Sequence, residues 1–392
     1  MKSWLQPPKL RIGAEAEEEN RRATWLELFY DLVFVVAVSQ VAHYLHSHLS
    51  LQGFLGFIFL FAPIWWAWIG NTFYSNRFDS DDFGHRLFTG LQMLAIASLA
   101  VNVHHGLSDS SAGFALSYAA TRILLVIEYL RVAKHIPVAK GLANHYSIGF
   151  AIAAIFWLIS AFAPIPIRFA LWVLGLAIDF VTPLSAKRHQ SILLPHTEHL
   201  PERFGLFTII VLGEAIIAVV NGVSEKNWDV SSAISAILGF IIAFSLWWIY
   251  FENVSGSVLK KAGEEGKLAI YQVWLFAHLP LVLGLTATGV GVEKIILSPG
   301  SEFLPAPERW LICGAVAMCL ISLSILHATG LIFRCKVRAK YRIIAAAVLL
   351  TIAIAGTTFT PTIVIGLVTI ISITQVIQDL YQSGSFSYQK GY

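Results

Sequence analysis

This 392-residue chain contains a succession of apolar stretches, each long enough to cross a lipid bilayer as an α-helix. An α-helix needs about 20 residues to cross a hydrocarbon core. Twelve stretches have about that length: 25 to 45, 51 to 73, 86 to 104, 112 to 132, 146 to 164, 166 to 184, 202 to 221, 231 to 252, 268 to 292, 309 to 330, 341 to 357 and 361 to 381. The sequence therefore predicts an all-α, polytopic membrane helix bundle with about twelve transmembrane helices.

Composition supports a membrane protein. Hydrophobic residues make up 56% of the chain and charged residues 13%, with a mean hydropathy of +0.68, whereas soluble domains carry about 25% charged residues. The net charge of +3 reflects topology and gives no support for nucleic-acid binding. The three cysteines lack paired spacing, so neither a disulfide nor a metal site is predicted.

The distribution of lysine and arginine predicts the orientation. Cytoplasmic loops retain positive charge, and an inside N-terminus places 22 of the 27 basic residues in inner segments. The four outer ones are Arg168, Lys226, Lys294 and Arg309. Both termini are therefore expected in the cytoplasm, on the inner side of the cell membrane. Helices five and six, joined by a proline-rich loop, could instead form a re-entrant pair.

Two similar segments predict an internal repeat. Placing Asn71 on Asn253 aligns a tryptophan pair that includes Trp66 with a second pair at an offset of 182 residues, and Glu27 matches Glu202 at 175. Gln92 and His278 then match at an offset of 186. Six helices per copy give parallel halves, an arrangement known in transporters. The predicted segments are a cytoplasmic tail (1–24), two six-helix repeats (25–184 and 202–381), a linker (185–201) and a second tail (382–392).

Polar side chains inside the apolar stretches are the candidate functional residues. Glu27 and Asp31 share a helical face, whereas Gln40 and His43 point to the other side. Glu27 could pair with Arg21 or Arg22 at the interface, and Asp31 is expected in a functional or structural ion pair. Tryptophans 65, 66, 68, 247 and 248 fit an interfacial aromatic belt.

Glu214 falls near mid-membrane, where a carboxylate is costly unless paired, hydrated or protonated. It is either a proton-binding group or a structural, protonated glutamate. Arg122 is the one basic side chain assigned to a span, with Tyr129 on the same face. Its candidate partners are Asp31, Glu128, Asp179 and Glu214, and a structural lock and a substrate anion site both stay open.

Pro280 is expected to interrupt the ninth helix just after His278. Broken helices beside polar groups mark many transporter sites, and an ordinary proline kink is the alternative. His278 is the titratable group that this pattern singles out.

The motifs resemble a known family. The segment Trp25 to Val35, which contains Phe29 and is followed by Gln40, the segment from Glu202-Arg203-Phe204 to Glu214, and His278-Leu279-Pro280 are similar to the bacterial low temperature requirement protein A family. The resemblance implies a link to growth in the cold but no substrate or reaction. A fainter resemblance is to lysosomal potassium channels, whose two repeats each open with Phe-Ser-Asp. Phe29-Tyr30-Asp31 replaces that motif, and the second copy has no acid.

The predicted function is a transporter or ion pathway for a small solute or cation, with proton coupling left open. The alternatives are a non-catalytic structural or regulatory membrane protein and an intramembrane enzyme acting on a lipid; no catalytic motif favours an enzyme. Pathway candidates are Asp31, Gln40, His43, Arg122, Glu128, Glu214 and His278. Motif candidates are Glu27, Phe29, Trp66, Asn71, Gln92, Tyr129, Asp179, Glu202, Arg203, Asn253 and Pro280. No cofactor or metal is predicted; membrane lipids are expected partners, and a homo-oligomer stays open.

Overall fold

The computed structural model describes residues 6–11, 23–79, 82–190, 193, 199–226, 230–253, 259, 267–300, 302–329 and 333–384. This part of the chain holds twelve long helices, one for each apolar stretch: α1 (Trp25–Ser47), α2 (Leu51–Arg77), α3 (Phe83–Val101), α4 (Ser111–His135), α5 (Lys140–Phe162), α6 (Ile167–Ser185), α7 (His199–Glu225), α8 (Val230–Asn253), α9 (Leu268–Leu297), α10 (Ala306–Ala328), α11 (Phe333–Ala355) and α12 (Pro361–Gly384). The predicted all-α fold is confirmed.

Ten of these helices are long and apolar enough to cross a membrane, so the chain is a multi-pass membrane protein. The other two are α3 and α11, and α11 carries five basic residues within its first ten. Both α5 and α6 are among the ten. The number of crossings, the internal repeat and the side on which the termini lie stay predictions.

The contacts divide the chain into two compact units. Unit 1 comprises Met1–Val41, Gly56–Phe207 and Gly263–Leu268; unit 2 comprises Ala42–Leu55, Thr208–Ala262 and Ala269–Tyr392. Helices α1, α2, α7 and α9 each contribute residues to both units.

In unit 1, α2 is the central helix, with most of its apolar length buried. Trp66 packs on Phe180 of α6, with ring centroids 4.3 Å apart. The N-terminal segment adds β1 (Lys9–Leu10), which pairs antiparallel with β2 (Phe78–Asp79) after α2. The part of the predicted tail that the structure describes is thus attached to the helices.

In unit 2, α9 is the most buried of the candidate spans. Glycines let its neighbours approach closely: a Cβ on Gly284 would lie 2.9 Å from the carbonyl oxygen of Ala315 in α10, and one on Gly289 would lie 2.8 Å from Cα of Ala215 in α7. Small residues at helix contacts are the usual basis of membrane helix packing.

Two expectations about these central helices are wrong. Pro280 does not interrupt α9, which is continuous over 30 residues, because the loss of one backbone hydrogen bond is tolerated where neighbouring turns hold the helix. The aromatic belt fails for α2, where Trp65, Trp66 and Trp68 are at most 2% exposed and fill the interior of unit 1.

Candidate functional site

The first polar cluster of unit 1 joins the starts of α1 and α7 through Arg203. Its Nη2 donates to Asp31 Oδ1 at 2.6 Å and its Nε to Asp31 Oδ2 at 3.1 Å. Its Nη1 lies 3.0 Å from Oε1 of Glu27. The guanidinium and both carboxylates are buried, and the two-pronged geometry with Asp31 is the strongest form of such a pair.

Each carboxylate of this cluster has further partners. Glu27 Oε2 accepts the backbone N–H of Thr24, whose Oγ1 accepts the N–H of Glu27, a capping box that starts α1. The same carboxylate lies 3.4 Å from Nε2 of His199, and Trp68 Nε1 donates to Asp31 at 2.8 Å. The cluster is paired throughout, which suits a structural role.

The predicted interface partners of Glu27, Arg21 and Arg22, lie outside the described residues. The structure gives that role to Arg203, which the resemblance had marked only as a motif residue. Its neighbour Glu202 is exposed and accepts the backbone N–H of Ala23 at 3.2 Å.

The second cluster of unit 1 surrounds Arg122. Of its four candidate partners, Asp179 of α6 is the one the structure pairs with it, at 3.9 Å. Tyr118 donates its hydroxyl to Asp179 at 2.6 Å and presents its ring 4.9 Å from the guanidinium. Arg122 Nη2 donates to the carbonyl oxygen of Trp66. This is an ion pair lined by aromatic faces, where cation–π attraction adds to the charge pairing.

The sequence analysis assigned Arg122 alone to the interior of the membrane, but the structure buries other arginines as well. Arg77, Arg203 and Arg342 are each about 1% exposed or less, because their charged heads meet carboxylates or carbonyl groups at the ends of helices. Hydropathy had assigned all three to loops or helix borders.

Other candidates of unit 1 lie near this second cluster. Gln92 donates to the carbonyl oxygen of Thr121 at 3.1 Å and hydrogen-bonds Glu128, which is buried. Tyr129 packs edge-on against Tyr74, with ring centroids 5.4 Å apart. Asn71 is buried in α2, whereas Phe29 is 57% exposed on α1.

In unit 2, His278 lies in a closed aromatic environment. Its Nδ1 is 2.8 Å from the carbonyl oxygen of Trp274, and its Nε2 is 3.1 Å from the hydroxyl of Tyr250. The side chain is fully buried. Asn253, which the predicted repeat matches with Asn71, is the last residue of α8, and its side chain lies outside the described part.

The remaining cluster is an acidic cluster that consists of Glu214, Glu225 and Glu293. Glu293 interacts electrostatically with both other glutamates and with Lys294. His46, at the end of α1, lies 3.9 Å from Glu293 and interacts with His43 and Glu225. All these residues belong to unit 2.

The packing of α7 on α9 positions these acids. Gly289 faces Ala215, and Gly222 faces Ile296, a constant offset of 74 residues. The two helices therefore run side by side in the same direction. Glu214 and Glu225 are eleven residues apart, about three turns or 16 Å on one face of α7, and Glu293 lies between their levels.

Exposure changes steadily along this cluster. Glu225 and His43 are exposed and Glu293 is half-buried, while Glu214 is 8% exposed. No group of three or more His, Cys, Asp or Glu in the described ranges could hold a metal ion, so the acids follow the helices instead of converging on a point.

Sequence reasoning found Glu214 and His43 but missed Glu225, Glu293 and Lys294. The ninth stretch was ended at residue 292, whereas α9 continues to Leu297. The signal that could have found them is the glycine at 289, one turn before Glu293, which brings α7 within reach. Gln40 is half-exposed on α1.

Two cavities bear on the choice of function. One, of about 590 Å³, is lined by apolar residues of the α1–α2 connection and α10, with Ser50 as its polar member. The other, of about 370 Å³, lies between α5 and α6 beside His145. Asp31, Glu214 and His278 line neither cavity.

Comparison with known proteins adds a family but no activity. The family described as bacterial low temperature requirement A protein matches residues 22–377. An uncharacterized protein of Rhizobium meliloti (strain 1021) is 26% identical over 292 residues, which cover 72% of this chain and 71% of that protein. No solved structure matches the chain significantly.

Proposed function

Because the chain belongs to the bacterial low temperature requirement A family and is a multi-pass membrane protein, we propose that it conducts protons through the membrane or couples them to transport. The acidic cluster is the site. The single observation that carries the proposal is its gradient of burial, from exposed Glu225 through half-buried Glu293 to buried Glu214.

Neighbouring carboxylates at membrane depth bind protons for a physical reason. A low dielectric disfavours each negative charge, and a second carboxylate nearby disfavours it further. Glu293 has two such neighbours, and the cation of Lys294 offsets only part of their charge. A proton held by one glutamate can therefore pass to the next, with Glu225 and the histidines at the entrance and Glu214 at the deep end.

A proton suits this site better than a larger solute. Protons move between titratable groups through hydrogen bonds and single waters, so a proton can reach Glu214, which is 8% exposed, without a wide channel. The paired clusters around Arg203 and Arg122 then hold the helices of unit 1 together. A purely structural protein, the alternative, has no use for a like-charged series of acids along a packed helix pair.

We also propose that both termini face the cytoplasm. Single cysteines at Glu225 or Glu302 are then expected to react with a membrane-impermeant maleimide in intact cells, and a cysteine at Lys187 only after the cells are permeabilised. The reason is the 22 of 27 basic residues on one side. The reverse labelling pattern would show that both termini lie outside the cytoplasm and that the exposed end of the acidic cluster faces it.

The flux experiment tests the site directly. In proteoliposomes that contain a pH-sensitive dye, an inside-negative potassium diffusion potential is expected to drive protons inward through the wild-type protein and acidify the lumen. Glu293→Gln and Glu214→Gln should each reduce the rate at least about tenfold, because each removes a titratable step while keeping the shape of the side chain. Initial rates per reconstituted molecule are the measurement.

Glu302→Gln is the matched control, because Glu302 is an exposed acid of unit 2 that lies outside the acidic cluster. The Glu302→Gln protein should conduct protons at the wild-type rate. Equal rates for all four proteins, or no protein-dependent flux, would contradict the proposal. A loss limited to the two cluster variants would support it, provided that their melting temperatures in detergent match the wild type.

A further inference from the structure

A second charged cluster in unit 2 lies where α10 ends, α11 begins and α12 ends. Arg342 Nη2 donates to Oδ2 of Asp379 at 2.7 Å. Arg338, one turn earlier on α11, lies 3.4 Å from Oδ1 of the same carboxylate. His327 of α10 interacts electrostatically with both arginines. Arg342, Asp379 and His327 are all at most 4% exposed.

The described contacts of this cluster bring more cations than anions together. The guanidinium groups of Arg342 and Arg338 both contact the one carboxylate of Asp379. Burying an uncompensated charge is costly. The Arg203 cluster of unit 1 has the opposite ratio, with two carboxylates around one guanidinium.

Hydrogen-bonding capacity is also left over. Arg342 Nε and Nη1 and His327 Nε2 are buried and have no hydrogen-bond partner among the described residues. Buried polar groups are normally satisfied, so these three atoms have capacity to bind a ligand or a water. Arg309, buried to a similar degree, shows the contrast: its Nε donates to the carbonyl oxygen of Ala353 and its Nη1 to that of Leu304.

We propose that Arg342, Arg338 and His327 bind a phosphate-bearing anion. A guanidinium presents its donors as a fork that fits phosphate oxygens, and Nε with Nη1 is one edge of that fork. In the neutral ring, the contact of His327 Nδ1 with the carbonyl oxygen of Leu323 makes Nε2 an acceptor for a phosphate hydroxyl; protonation makes it a second donor.

The same chemistry can come from a phospholipid headgroup or from free phosphate. Arg338 keeps 14% of its side chain exposed, so it marks the side from which the anion enters. Basic pockets at the ends of membrane helices are known to bind anionic lipid headgroups. The site is independent of the acidic cluster and of the proposed proton pathway.

The test uses the purified full chain in nanodiscs and in detergent, with dioleoyl phosphatidylglycerol, dioleoyl phosphatidylcholine and inorganic phosphate as probes. Native mass spectrometry should show phosphatidylglycerol retained on the wild type, and Arg342→Gln should weaken retention about tenfold, the effect of losing one charge-assisted contact. Lys340→Gln is the matched control, because Lys340 is an exposed cation on the same helix and should retain the lipid.

Arg342→Gln could unfold the protein by leaving Asp379 without its closest cation, so Arg342→Gln combined with Asp379→Asn is the second variant. It should fold and still fail to retain the anion. A rise in the melting temperature of the wild type with phosphatidylglycerol but not with inorganic phosphate identifies the lipid headgroup as the ligand. A rise with inorganic phosphate identifies the free anion. Equal retention by the wild type and the Arg342 variants, equal weakening by Lys340→Gln, or no response to either anion would overturn the proposal.

Discussion

Replacing Arg203 with alanine should destabilise the protein by about 3–5 kcal/mol, the cost of removing one partner from a buried ion pair. Arg203 neutralises Asp31 through two hydrogen bonds and Glu27 through one contact of 3.0 Å. Without it, two buried carboxylates face each other across one helical turn, with His199 the nearest remaining base. The expected measurement is a large loss of melting temperature in detergent, or loss of folded protein on purification.

The triple variant Arg203→Met, Glu27→Gln, Asp31→Asn separates charge from packing. It removes the guanidinium together with both carboxylates, so it should recover most of the stability that Arg203→Ala loses. Glu202→Gln is the neighbouring control, since Glu202 is exposed and surface changes usually cost less than about 0.5 kcal/mol. A triple variant as unstable as the single one would show that the shape of Arg203, and not its charge, stabilises unit 1.

The helices could be predicted from the sequence because the length of each apolar stretch indicates the length of the membrane helix that it forms. Each apolar stretch became one long helix, although the ends moved by several residues, as at Glu293. Polar and charged residues at helix ends lower the average hydropathy, so α9 appeared to end five residues early. That error hid a glutamate central to the proposed pathway.

Helix orientation was far less predictable, because lipid is as apolar as the protein interior. Nothing in the sequence distinguishes a tryptophan facing lipid from one facing another helix, so Trp66 was assigned to an interfacial belt although it is 2% exposed. The partners of Arg122 were narrowed to four carboxylates, and only tertiary packing selects Asp179. The pairing of Asp31 with Arg203 spans 172 residues, a separation that local pattern cannot reveal.

A packing change at Gly289 should affect stability and conduction together. A Cβ at this position would lie 2.8 Å from Cα of Ala215, closer than carbon atoms can pack, and backbone atoms cannot rotate away as a side chain can. Gly289→Ala should therefore cost about 1–3 kcal/mol, the range for overpacked cores, and Gly289→Val more. Thermal unfolding in detergent measures the loss.

The same substitution tests whether the spacing of α7 and α9 matters for proton flow. Pushing the helices apart separates Glu214 from Glu293, so the Gly289 variants that still fold should conduct more slowly although every titratable group is present. Gly366→Ala is the matched control, because a Cβ there meets no atom within 4 Å and alanine favours a helix over glycine. Normal flux through a destabilised Gly289→Ala protein would mean that the acids act separately and not as a relay across the α7–α9 contact.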